Sequence, residues 1–93
     1  MTQAIATQLI DDARVCVTRF DLAPGVETGW HVQGFDDVIA TITECHMRLE
    51  EPGGTRREVP VRAGEAYRRD AGVEHNVINA GARPMSFVEV ELK

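Results

Sequence analysis

Two histidines, each set behind spaced glycines, are the residues of this sequence best suited to chemistry. His31 lies six positions after Gly25, and His75 lies three after Gly72 and eleven after Gly64. In an extended strand, residues two apart share a face, so Gln33 projects with His31. Asp37 joins that face if the chain keeps its register through Gly34 and Phe35, while Asp36 points the other way in a regular strand, and a bulge would exchange the two. His75, Val77 and Asn79 share a face of a second strand. If the two strands are antiparallel neighbours, or lie across a barrel, then His31, Gln33, Asp37 and His75 converge. Two imidazoles, an amide oxygen and a carboxylate form a mixed donor set suited to one divalent transition metal: Fe, Mn, Ni or Zn. Two histidines and one carboxylate with open positions also describe non-haem iron oxygen chemistry, or a Lewis acid polarising a substrate carbonyl. Tyr67 is the candidate proton donor facing the same space, and Trp30 and Phe35 flank it.

The elements that must hold these residues are strands. No window of eleven or more residues keeps apolar positions at helical spacing, whereas short β-prone runs alternate with turn residues. Residues 14–20 read as a strand ending at Ala23-Pro24-Gly25. Residues 38–42 are the most β-branched run and predict a central strand. Residues 46–50, 57–61, 66–68, 74–79 and 85–92 follow, divided by Glu51-Pro52-Gly53-Gly54, Ala63-Gly64, Asp70-Ala71-Gly72 and Ala80-Gly81. In the last run Val88, Val90 and Leu92 alternate with Glu89 and Glu91. Pro60 and Pro84 belong at strand starts or edges, because proline donates nothing to a ladder. The arginine pairs 56–57 and 68–69 read as a solvated strand face. The pattern predicts an all-β fold of about eight or more antiparallel strands, with closure into a jelly-roll β-barrel managing the edges. Such a barrel has room for one small ligand.

The glycine–histidine units resemble the two motifs of the cupin family. Gly25, His31, Gln33 and Asp37 fall on the first motif, with Gln33 where a second histidine is usual and Asp37 in place of a longer glutamate. Gly64, Gly72, His75 and Asn79 fall on the second, with Asp70 replacing a proline. Residues 27–31 and 71–80 are similar to those of small bacterial cupins linked to β-alanine degradation. The resemblance implies a single cupin domain over residues 1–93 that binds one divalent metal inside the barrel. It also implies a homodimer, to which the segment Ile5 to Ile10 could contribute a strand. His31, Gln33, Asp37 and His75 are the implied ligands, although Asp37 could instead support a ligand histidine from behind. Asn79 is expected to bond backbone at a strand end, and His46 to be exposed.

Two functions stay open on these residues. One is a metal-dependent oxidoreductase or lyase, of dioxygenase, decarboxylase or isomerase type, acting on a small oxygen-bearing metabolite. The other is a non-catalytic barrel that binds a small molecule at a degenerate metal site.

The bulk numbers narrow the field. Fifteen acidic against ten basic residues give a net charge of -5, with no basic stripe to neutralise phosphates, so no nucleic-acid partner is expected. The longest apolar stretch, Val38 to Ile42, is too short to span a bilayer, so no membrane role is expected. Residues 1–4 show no leader, which predicts a cytoplasmic protein. Cys16 and Cys45 are too few for a disulfide framework and lack metal-ligand spacing. At 93 residues the chain has room for one domain with a modest core.

Overall fold

The structure is a computed structural model that describes residues 3–93, so the expectation about the first residues falls partly outside it. Nine strands lie in the described residues: β1 (Ile5–Asp11), β2 (Val15–Leu22), β3 (His31–Val32), β4 (Asp36–Thr41), β5 (Cys45–Glu51), β6 (Thr55–Val61), β7 (Ala66–Arg69), β8 (Glu74–Asn79) and β9 (Met85–Leu92). A five-stranded sheet has the order β1-β2-β9-β4-β7, and a four-stranded sheet has the order β3-β8-β5-β6. Every pairing between these strands is antiparallel. The predicted all-β jelly roll is therefore the observed fold, and the β-branched run around Ile39 is an interior strand between β9 and β7.

The two sheets pack face to face, and alternation along each strand decides what lies between them. Leu22, Ile39, Cys45, Met47, Leu49, Val77, Met85 and Phe87 form the core, and Phe20 stacks on Phe87 with ring centroids 5.4 Å apart. Burying each large side chain contributes roughly 1.5–3 kcal/mol before entropy is counted. Pro60 falls on the edge strand β6, and Pro84 directly precedes β9. Asn79 donates from Nδ2 to the carbonyls of Leu22 and Arg83, tying a strand end as expected.

In β9 the predicted alternation is present, but the buried face is the one that carries Glu89. Met85, Phe87 and Glu89 are buried, Val88 and Val90 are half-buried, and Leu92 is exposed. The valines sit there because an interior strand favours β-branched side chains on either face.

Two glycines position the histidines. Gly25 (φ 79°) turns the chain at the end of the β2 segment, and its N–H donates to Asn79 O at 2.9 Å. Gly72 (φ 92°) makes the turn before β8 in a left-handed conformation that glycine adopts without steric cost. Its N–H donates to Gln33 O at 2.7 Å, and Gln33 N–H donates to Val73 O at 2.8 Å. These bonds extend the β3–β8 ladder and hold the two motifs in register.

Candidate functional site

That register places His31 directly opposite His75. Cross-strand partners in an antiparallel pair project to one face, so both rings enter the space between the sheets. Their Nε2 atoms are 3.1 Å apart, with the rings at 78°. Gly29 O lies 3.2 Å from His31 Nδ1 and can only accept, so Nδ1 carries the proton and the Nε2 lone pair turns to His75. Burial, then Arg69, then His31 push His75 down to about 4, so it is neutral at pH 7.

The opposite sheet supplies charge. Asp37 of β4 is fully buried and lies across from Arg69 of β7 in the ladder. Arg69 grips both its oxygens, donating from Nε to Oδ1 at 3.0 Å and from Nη2 to Oδ2 at 2.6 Å. Nη2 also donates to Glu89 Oε2 at 2.9 Å. Burial raises Asp37, but its bonds with Arg69 and Glu89 outweigh this and hold it below the usual carboxylate range. Burial, then the contact with Asp37, push Glu89 up to about 8 against the pull of Arg69.

Arg69 then spans the gap between the sheets, with Nη1 2.7 Å from His75 Nε2 and 3.4 Å from Nδ1. A donor on the Nε2 lone-pair axis would lie on the far side of the ring from Nδ1. Nearness to both nitrogens puts Nη1 off that axis and leaves the lone pair directed elsewhere.

Two metal–imidazole bonds of about 2.0–2.1 Å meeting near a right angle put their nitrogens about 3 Å apart. The His31–His75 separation fits two adjacent coordination positions, and the Gly29 carbonyl orients His31 as an outer partner orients a metal ligand. The carboxylate does not fit as a third ligand. Asp37 is paired with Arg69 rather than with the histidines, and no group of three or more His, Cys, Asp or Glu side chains among the described residues could hold a metal. Gln33 is buried, and its Nε2 faces Phe35 O at 3.4 Å and also supports Asp37. An amide oxygen on Gln33 is therefore the remaining candidate third donor.

Beside the histidines lies a cavity of about 330 Å³, walled by Leu49, Val59 and Val73 and reached by Tyr67, His75 and Arg69. Tyr67 OH donates to Met47 Sδ at 3.4 Å, and burial raises its pKa. Trp30 and Phe35 are exposed and do not line this cavity. The His46 side chain is exposed on the outer face and pairs with Glu58.

The sequence reading missed Arg69 and Glu89. Arg69 is not on a solvated face: its side chain is 10% exposed, against 64% for Arg56, 57% for Arg57 and 68% for Arg68. The signal was strand periodicity, because an inward Tyr67 makes Arg69 inward and an inward Phe87 makes Glu89 inward.

A jelly roll with a histidine pair between its sheets defines the class of protein, and the sequence comparison agrees. The cupin domain family model matches residues 18–91, and the chain belongs to the cupin family. It is 50% identical over 91 residues to the β-alanine degradation protein BauB of Pseudomonas aeruginosa, covering 98% of this chain and 95% of that one. A cupin domain structure from Bordetella pertussis is 42% identical with a TM-score of 0.93, covering 99% and 95% of the two chains. A double-stranded β-helix protein from Klebsiella pneumoniae, at 22% identity and a TM-score of 0.80, covers 97% and 76% and shares the fold. Among the described residues no helix is long and apolar enough to cross a membrane.

Proposed function

We propose that this cupin binds one divalent transition metal (Fe, Mn, Ni or Zn) at the His31–His75 pair and a small oxygen-bearing metabolite in the adjacent cavity. The observation that carries this reading is the 3.1 Å approach of two Nε2 atoms, with the His31 lone pair already turned toward its partner. A neutral His75 suits it, since a ligating imidazole must be unprotonated. Gln33 supplies the third protein donor, and solvent or the metabolite takes the open positions. Bound there, the metal would supply Lewis acidity or oxygen activation for a dioxygenase, decarboxylase or isomerase reaction. The chain's own part is to hold the metabolite against apolar walls and to offer the Tyr67 hydroxyl as a proton donor. Met47 sulfur is a weak acceptor that a ligand oxygen readily replaces. BauB is named for β-alanine degradation, which favours a short-chain metabolite.

A second reading, non-catalytic capture of a small molecule, is favoured by Arg69. It occupies the carboxylate that a stronger metal site would use and places a positive charge 2.7 Å from His75 Nε2. Metal analysis separates the two. Protein purified without chelator should carry about one equivalent of metal per chain, and His75→Ala should carry none while keeping its far-ultraviolet circular dichroism. A metal-free wild type sinks the first reading and leaves the second.

We further propose a homodimer formed through β1, whose seven residues are all exposed at the edge of its sheet. An edge of unpaired backbone groups carrying Ile5, Leu9 and Ile10 suits pairing with the same strand of a second copy.

A further inference from the structure

The mouth of the cavity holds an ion pair that the metal reading does not use. Arg57 of β6 donates from Nε to Glu51 Oε1, at the end of β5, at 3.1 Å. Arg57 shares the inward face of its strand with Val59 and Val61, and Glu51 shares the inward face of its own with Leu49 and Met47. Both line the cavity, and with side chains 57% and 30% exposed they stand at its opening. Their charges differ in commitment from those deeper in. Arg69 is fully engaged by Asp37 and Glu89. Arg57 faces one carboxylate through one N–H, and its two Nη groups have no hydrogen-bond acceptor among the described residues. A guanidinium presents five donors in a planar fork, so most of its capacity is unused. Arg57 also acts inward, as one of the charges that depress His75.

We propose that Arg57 anchors the carboxylate of a small ligand, which takes the place of Glu51 on the guanidinium and lays its short apolar portion toward Tyr67 and His75. This deepens the cavity reading above and rests on it. Glu51 shows that a carboxylate reaches this guanidinium, through Nε alone, and the two Nη groups are left for a second contact. A carboxylate matches the fork with two parallel bonds and neutralises one guanidinium one-for-one. With Glu51 displaced, a singly charged carboxylate leaves one negative charge without a partner at the mouth, whereas a doubly charged phosphate would leave two. The volume of about 330 Å³ lies at the small end of ligand pockets, and Leu49, Val59 and Val73 suit a short carbon chain.

The test is an NMR titration of chelator-treated protein with propionate, and with propionamide as its uncharged counterpart, following Tyr67 and His75 signals. Propionate should shift both and propionamide neither. Arg57→Gln should weaken propionate by about tenfold or more, Arg57→Lys should keep part of the affinity, and Glu51→Gln should tighten it severalfold by removing the competing carboxylate. Equal affinity of wild type and Arg57→Gln, equal response to propionamide, or no propionate response in wild type overturns the proposal. If Arg57→Gln fails to fold, the opposite sign expected of Glu51→Gln still decides. Metal content measured on untreated samples keeps the two readings apart. Metal without a propionate response overturns the anchor alone, and Arg57-dependent propionate binding in a protein that never carries metal overturns the metal reading alone.

Discussion

At the scale of single residues, Arg69 decides how the interior works. It satisfies two buried carboxylates and reaches a histidine of the other sheet, so it links the halves of the barrel through one side chain. Removing one partner of a buried ion pair strands the other, at about 3–5 kcal/mol. Arg69→Met should lower unfolding stability by that amount in urea titrations. Adding Asp37→Asn should recover much of the loss, since the remaining acid, Glu89, is raised to about 8 and stays protonated at neutral pH. A single variant as stable as wild type would deny Arg69 this role. Both histidines were legible because glycine spacing and strand period place them without knowledge of the rest of the fold. Arg69 was not, because local charge pattern favours solvent for adjacent arginines, and only the Asp37 it meets across β4 and β7 makes burial tolerable. Asp37 was legible as an inward-facing residue, but its partner was not. A carboxylate near two histidines reads as a ligand until the opposing strand is known.

At the scale of elements, the longer strands follow from composition and the shortest one does not. Turn residues and β-branched runs mark β2 and β4 to β9 within a few residues, because a tight turn needs glycine or proline whatever the tertiary context. β3 is only His31–Val32 and exists through its ladder with β8. β1 is the other exception. It pairs with β2 and has a register shift between Gln8 and Ile10, yet it buries none of its residues in the chain that carries it. A strand with nothing to bury is costly to order alone, which argues for a second copy against it. Replacing Ile5 and Leu9 with lysine should therefore move the mass measured by light scattering from dimer to monomer. The core, which draws no residue from β1, should keep its far-ultraviolet circular dichroism. A wild type that is monomeric at all concentrations, or a double variant that remains dimeric, would remove β1 from the interface.

At the scale of the whole molecule, stability records which protons folding holds or expels. Glu89 holds one: its ordinary value is 4.5, and the folded environment pushes it up to about 8. The folded state then binds a proton that the unfolded chain has released. The Glu89 contribution is complete below about pH 4.5 and is lost as pH rises through about 8. His75 acts in the opposite sense. Its value falls from 6.5 to about 4, so its contribution is present above 6.5 and is lost as pH falls through about 4. The acids held low, Asp12, Asp21, Asp37 and Glu58, add their share above the ordinary carboxylate range and contribute no slope near neutrality. The Cys45 thiol and Tyr67 hydroxyl, both raised by burial, act only at higher pH. Between about pH 7 and 8 Glu89 is therefore the group that moves. A full proton difference corresponds to a slope of about 1.4 kcal/mol per pH unit, and the observed slope should approach this near pH 7 and fade beyond 8. Denaturant titrations of chelator-treated protein should show stability declining over this interval. Glu89→Gln keeps the side chain's shape, accepts from Arg69 and cannot ionise, so its stability should stay flat over the same interval. A wild type as flat as the variant would mean that Glu89 is already ionised at neutral pH. Arg69 would then carry two full negative charges, and the interior would be more anionic, and more receptive to a metal at the histidine pair, than its hydrogen bonds imply.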